Sequence, residues 1–267
     1  MSVTKSTERL KDQKFRPGQK GRKRVEREEL IRWSEPERVL LLLDKSREEL
    51  KEMLGDEFTT MKGYAQNNPH HCYNLLEHTV RTAAGMDCSG LSDEDAVQLR
   101  VAALYHDIGK PVVAFQKNGK TVFYNHGKES RKIAENRLPE LGIEGSELEK
   151  ILFYIEHHDD FISFKLKENI KEDKNGKENP FIIPVTKENV EKKIHFVQKK
   201  CKEKGIYIPT VEDYKILMRL CYADAMAQSP KVIEKGVQID SVEEKVKRLE
   251  AVERMIEMIL VGESKNG

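Results

Sequence analysis

In the run Leu104-Tyr105-His106-Asp107-Ile108-Gly109-Lys110 an imidazole stands directly beside a carboxylate. His78 lies upstream, His126, His157 and His158 lie downstream, and a lone acid, Asp224, follows in an otherwise apolar stretch. Neutral imidazoles and carboxylates that share a pocket bind divalent transition metals, and such an ion makes hydroxide from water at neutral pH. These residues run from position 78 to position 224, so the chemistry requires a fold that gathers them.

The elements that must do the gathering read mostly as helices. Ser34 is a cap candidate before Pro36, followed by the apolar run from Val39 to Leu43. Ser46 with Glu49 forms a capping box. Between about Cys72 and Met86, Leu75, Leu76, Thr79, Val80 and Ala83 recur at helical spacing. The next helix opens at Ser92 and runs through Leu99, Ala102 and Ala103 to His106, with Gly109 and Pro111 as its stop signal. Ser146 with Glu149 reads as another capping box, and Leu148, Ile151, Leu152 and Ile155 lead up to His157-His158. Further helices are expected at about 188–204, 211–227 and 242–261, the last introduced by Ser241 with Glu244.

Two segments break the pattern. Asn118-Gly119 lies between Val/Phe-containing runs over 112–124, a hairpin signal. The lysine-rich stretch Lys165–Asn179 reads as a long surface loop or insertion, spanning about 163–187 in all. The expected class is all-α, a helical bundle with one small hairpin.

Helical spacing suggests convergence. His106 follows Ala102 and Ala103 on one face, and Asp107 shares a face with Ala103 and Leu104, at a helix end whose free carbonyls favour a cation. A carboxylate on an apolar face is costly without a partner. Counting outward from Asn118-Gly119 puts Pro111 opposite His126, which returns His126 to the His-Asp pair. Asp224 follows Leu217 and Cys221 on the buried stripe of its helix, and His78 lies at the edge of an apolar face. His158 follows Ile155 by three residues while His157 is rotated away by about 100°, so at least one of the two should point inward. His70, His71 and His195 lack such support.

At 267 residues the chain can bury a real core, and 35% charged residues imply a charged surface. No apolar run approaches the roughly 20 residues of a membrane span, and no secretory signal is read. The four cysteines, Cys72, Cys88, Cys201 and Cys221, form no CxxC pair and read as reduced core residues of a cytoplasmic protein. Residues 1–24 hold nine Lys/Arg against two acids, leaving 38 against 44 for the rest. That arm reads as a flexible, solvated tail able to touch RNA phosphates.

In this order the residues resemble the HD-domain metal-dependent phosphohydrolase superfamily. The closer likeness is to the C-terminal HD domain of bacterial CCA-adding tRNA nucleotidyltransferases. It is carried by Gln66-Asn67-Asn68-Pro69-His70-His71 leading to Leu76-Glu77-His78-Thr79, and by Leu104 through Pro111. Phe123-Tyr124-Asn125-His126, Glu156-His157-His158-Asp159-Asp160 and Tyr222-Ala223-Asp224-Ala225 complete it. Nothing before residue 60 resembles the nucleotidyltransferase head, so CCA addition is not expected. The resemblance implies His78, His106, Asp107 and Asp224 as primary metal ligands. It also implies Asp107 as a bridge to a second ion held by His126 and by His157 or His158, and Lys110 beside substrate phosphate. The implied organisation is a basic arm over 1–24, packing helices over 25–60, an HD domain over 61–230 and a packing C-terminal helix over 231–267.

The expected activity is phosphate-ester hydrolysis, on a nucleotide, cyclic nucleotide or RNA end. It would use one or two ions of Mn, Fe, Co, Ni or Zn rather than Mg alone. Asp107, Lys110 and His126 are the catalytic candidates; His126 or an inward member of the His157/His158 pair is a general acid if one ion binds. Lys110, Lys128 and Arg131 are candidates for neutralising phosphoryl oxygens. The alternative is an RNA- or nucleotide-binding module with a structural metal site, in which Arg81 and the basic arm hold phosphates.

Overall fold

The computed structural model describes residues 26–166, 170, 182–234 and 237–264, and within these the all-α expectation holds. The basic arm and most of the lysine-rich insertion lie outside the described residues. A first helix, α1 (residues 26–33), precedes α2 (Pro36–Val39), a 3₁₀ turn (Leu40–Asp44), α3 (Arg47–Met53) and α4 (Asp56–Met61). The Ser46–Glu49 capping box is present at α3. Ser34 instead closes α1, its hydroxyl donating to the Ile31 carbonyl at 2.7 Å, and Glu35 takes the N-cap position before Pro36.

The site-bearing helices follow: α5 (Leu75–Ala84), α6 (Asp93–Tyr105), α8 (His126–Glu140), α9 (Gly145–His157), α10 (Lys187–Lys204), α11 (Val211–Met226) and α12 (Ser241–Ser264). Asn74, Ser92, Thr186 and Thr210 cap α5, α6, α10 and α11 by accepting from backbone N–H groups of the first turn. Ser146 does not cap α9; the helix begins at Gly145, and Glu149 instead pairs with Arg131 at 3.3 Å.

Helix α6 is the centre of the bundle. Leu99 and every residue from Val101 to Tyr105 are buried, as suits a helix surrounded by others. It packs on α5, α9 and α11, while α8 pairs with α9 and α12 covers α11 and α10. Tyr105 locks the C-terminal end of α6, donating to the Leu54 carbonyl at 3.0 Å and meeting Phe58 edge-on.

The hairpin is real but shorter than expected. Strands β1 (Phe115–Lys117) and β2 (Lys120–Val122) pair with Lys117 opposite Lys120, and Asn118 and Gly119 both take positive φ, as a type I′ turn requires. Pairing stops at Phe115 and Val122, because 110–113 wind into a short helix, α7 (Lys110–Val113), with Pro111 in its first turn. Pro111 therefore starts an element rather than ending one, and it does not face His126 across a ladder. Among the elements the sequence reading did not give are α8 and a hairpin of β5 (Lys231–Glu234) with β6 (Val237–Asp240). The two ends of the insertion meet, β3 (Phe164–Lys165) pairing in parallel with β4 (Ile183–Pro184).

Candidate metal centre

Five chain segments deliver the chemistry to one place. His78 comes from the middle of α5, fully buried; His106 caps the end of α6 and Asp107 follows in the turn; Asp224 lies in the last turn of α11. His126 opens α8, and His158 caps the end of α9.

Two glycines allow this crowding. A Cβ on Gly109 would come within 2.5 Å of the Ser130 amide nitrogen, and one on Gly127 within 2.6 Å of the Glu156 carbonyl oxygen. The first turn of α8 is thereby pressed between the turn after α6 and the end of α9. The Gly109 N–H donates to Ser130 Oγ at 2.9 Å and fixes that contact. This packing, rather than strand pairing, brings His126 beside Asp107.

The carboxylate of Asp107 divides the site in two. Its Oδ2 faces His106 Nε2 at 3.2 Å and His78 Nε2 at 3.3 Å, and its Oδ1 faces His126 Nε2 at 3.1 Å and His158 Nε2 at 3.8 Å. Asp224 Oδ1 completes the first set, 2.9 Å from His78 Nε2 and 3.7 Å from His106 Nε2. Ligand atoms held about 2.1 Å from one ion stand roughly 3–3.5 Å apart, so both sets have the spacing of metal donors.

The histidines are oriented for that task. His78, His106, His126 and His158 each direct Nδ1 to a backbone carbonyl, of Ala227, Ala103, Phe123 and Ile155, at 2.7–3.0 Å. A carbonyl can only accept, so each Nδ1 carries the hydrogen and each Nε2 turns its lone pair inward. Such a carbonyl partner holds the ring in the tautomer whose Nε2 is free to bind a metal. The Nε2 atoms of His78 and His106 and both Asp107 oxygens are buried without a well-formed hydrogen bond. Clustered lone pairs of this kind call for a cation.

Electrostatics agree. Burial alone would lower the His106 pKa, but the Asp107 and Asp224 carboxylates outweigh it and raise it to about 10. His78 and His126 are likewise raised against burial, by Asp107 and Asp224 and by Asp159 and Asp107 respectively. His158 is lowered, burial prevailing over the pull of Asp159. Both Asp107 and Asp224 sit well below the usual carboxylate range despite their burial, drawn down by the facing imidazoles.

Of the paired histidines, His158 is the inward one. His157 turns away to Asp160, its Nδ1 2.9 Å from Oδ2, and does not join the cluster. Lys110 is in the site, 2.7 Å from Asp107 Oδ2 and donating to Gln66 Oε1 at 3.2 Å. Two of the basic candidates are engaged elsewhere. Arg131 is held by Glu149 and Glu156 at 3.3 and 3.5 Å, and Arg81 by Glu77 at 2.9 Å while lying over the Tyr73 ring. Lys128 is exposed on the first turn of α8.

Three participants were missed. Asp159 Oδ2 lies 3.2 Å from His126 Nε2, and its adjacency to His158 was the available signal. Gln66 and His71, which is packed edge-on to His78 with Nδ1 buried and unpartnered, come from a polar loop with no periodicity to orient them. His195 is exposed on α10, away from the cluster.

Residues 70–185 match the family model of the HD domain. No curated protein matches the chain. The matched segment contains His78, His106, Asp107, His126 and His158, whereas Asp224 is contributed by α11, beyond its end. The match to the HD-domain model and the buried His/Asp groups together fit a site for a divalent metal. Among the described residues no helix is long and apolar enough to cross a membrane, and all four cysteines are free.

Proposed function

We propose that the protein is a divalent-metal-dependent phosphohydrolase acting on a phosphate ester of a nucleotide, cyclic nucleotide or RNA end. The observation that carries the reading is the Asp107 carboxylate, whose two oxygens face two separate histidine sets. His78, His106, Asp107 and Asp224 would hold one ion, and Asp107, His126 and His158 a second, with Asp159 at hand. The nitrogen-rich donor set suits Mn, Fe, Co, Ni or Zn better than Mg alone. When bound, such ions supply Lewis acidity toward phosphoryl oxygens and a hydroxide nucleophile at neutral pH.

The chain's own residues do the rest. Lys110 offsets the Asp107 charge and, with Lys128, supplies positive charge toward a phosphoryl group. If only the first set is filled, His126 can hold a proton on Nε2 and pass it to the leaving oxygen. The likeness of the 66–71 and 156–160 segments to the CCA-adding enzymes favours an RNA end or nucleotide among the substrates.

The test is Asp107→Asn in the full chain, reconstituted with Mn and assayed on a 2′,3′-cyclic nucleotide, a nucleoside monophosphate and a 3′-phosphorylated RNA. The expected result is wild-type turnover of at least one ester and a roughly thousandfold loss in the variant, with melting still cooperative. A metal-loaded wild type that hydrolyses none of them under any of the five metals overturns the reading.

A further inference from the structure

Helix α12 lies outside the segment matched to the HD domain, and two of its basic side chains contact residues that adjoin the metal centre. Asp107 is only 1% exposed, whereas the carboxylates of Asp224 and Asp159 keep 15% and 36%. The centre therefore opens on the Asp224–Asp159 side, where any substrate must arrive. Lys245 Nζ donates to Gln228 Oε1, and Gln228 Nε2 donates to Asp224 Oδ2 at 3.1 Å, which links α12 to the first ligand set. Arg248, three residues on, meets the turn that carries Asp159: its Nη1 contacts the Ile162 carbonyl, and the Ile162 N–H donates to the Asp159 carbonyl at 3.0 Å.

Neither cation is fully used by the protein. Arg248 Nη1 makes a long 3.4 Å contact to the Ile162 carbonyl, and its Nε is buried with no hydrogen-bond partner. A buried guanidinium donor without an acceptor is unfavourable, and the planar fork matches two oxygens of a phosphate. Burial lowers the Lys245 pKa to about 8, against the pull of Asp224 and Asp159, so its ammonium is mostly charged at neutral pH yet poorly solvated.

Charge indicates what fits. Asp107, Asp159 and Asp224 are matched in number by Lys110, Lys245 and Arg248, so the positive charge that metal would bring to the centre is left for the hydroxide and the substrate. A phosphate monoester carries close to two negative charges near pH 7 and three free oxygens. A diester carries one charge and two free oxygens.

We infer that Lys245 and Arg248 are substrate-binding residues that hold the terminal phosphate of a phosphomonoester and select it over a diester. This rests on the phosphohydrolase reading, and it differs from a merely neutralising role for the two side chains. The test compares full-length wild type with Lys245→Gln, Arg248→Gln, Lys245→Arg and Arg248→Lys, all loaded with Mn. Metal content, KM and kcat on p-nitrophenyl phosphate and bis(p-nitrophenyl) phosphate, and calorimetric affinity for inorganic phosphate are measured.

Each Gln variant should raise KM for the monoester and weaken phosphate about tenfold, with metal content unchanged and the diester little affected. Arg248→Lys, which keeps the charge but not the fork, should recover part of the loss. Equal losses on both esters, loss of metal, or unchanged phosphate affinity would overturn the assignment. If a Gln variant fails to fold, the charge-conserving pair carries the same comparison. A wild type that binds phosphate through these residues but hydrolyses neither ester would uphold the clamp and count against the enzyme alone.

Discussion

The Nε2 atoms of His126 and His158 face each other at 3.0 Å, and in the neutral rings neither has a hydrogen to offer the other. Their Nδ1 hydrogens are committed to the carbonyls of Phe123 and Ile155, at 2.9 and 2.8 Å. Two lone pairs at that separation repel, and Asp159 and Asp107 add negative charge beside them. The arrangement is stable only with a positive species among them, either a proton or a metal ion.

Metal binding should therefore release protons. In the metal-free protein His106 is raised to about 10, and His78 and His126 are raised as well, so positive charge on these rings must leave when an ion arrives. Apparent Mn affinity should climb about tenfold per pH unit for each proton displaced. Titration calorimetry in buffers of different ionisation heat counts the protons directly. An affinity that stays flat between pH 6 and 9 would show that the Nε2 positions are not displaced. The sign for stability is opposite: the raised His106 supports the metal-free fold below its ordinary 6.5, and that support is lost as pH rises toward 10.

His157 and His158 should separate cleanly. His158→Ala removes a member of the second donor set, so elemental analysis should show one bound ion lost while the first is retained. His157→Ala should leave metal content intact and lower stability instead. His157 Nδ1 and Lys193 Nζ both contact the partly buried Asp160 carboxylate, at 2.9 and 3.0 Å, and removing one partner from such a group costs about 1–3 kcal/mol. Thermal melting measures that loss; a His157→Ala protein that drops an ion would reverse the assignment.

The part of this centre that lies on long amphipathic helices was legible in the sequence. His106 and Asp224 each follow apolar residues at helical spacing, and the observed α6 and α11 turn them inward as that spacing requires. For His157 and His158 the spacing required only that at least one point inward, because the helix ends at His157 and the local turn decides the rest. Helix α8 was hidden by its composition. Its run from His126 to Glu140 is dominated by charged residues, with only Ala134 and Leu138 as buried apolar anchors, so no stripe stands out. Its orientation also explains why Arg131 faces Glu149 and Glu156 rather than the metal centre. Lys245 and Arg248 had no local signal at all. Their meaning comes from the packing of α12 over α11, a long-range contact that no periodicity encodes.

The close approach of α8 to its neighbours can be tested through the two glycines. Gly109 has ordinary negative φ, so what excludes a side chain there is space: a Cβ would meet the Ser130 nitrogen at 2.5 Å and the His126 carbonyl oxygen at 2.8 Å. Gly127 is constrained in the same way by the Glu156 carbonyl at 2.6 Å. These neighbours are backbone atoms and cannot swing aside as a flexible side chain would. Gly109→Ala and Gly127→Ala should each destabilise the protein by about 1–3 kcal/mol, the usual range for overpacking. The first turn of α8 must shift to relieve the clash, and His126 moves with it. The second equivalent of Mn should then bind at least about tenfold more weakly, while the set of His78, His106 and Asp224, held by α5, α6 and α11, loses much less. Calorimetric titration of both equivalents makes the comparison within one sample. Equal weakening of the two would mean that the glycines support the bundle as a whole, and unchanged binding would mean that the observed α8 contact is not what places His126.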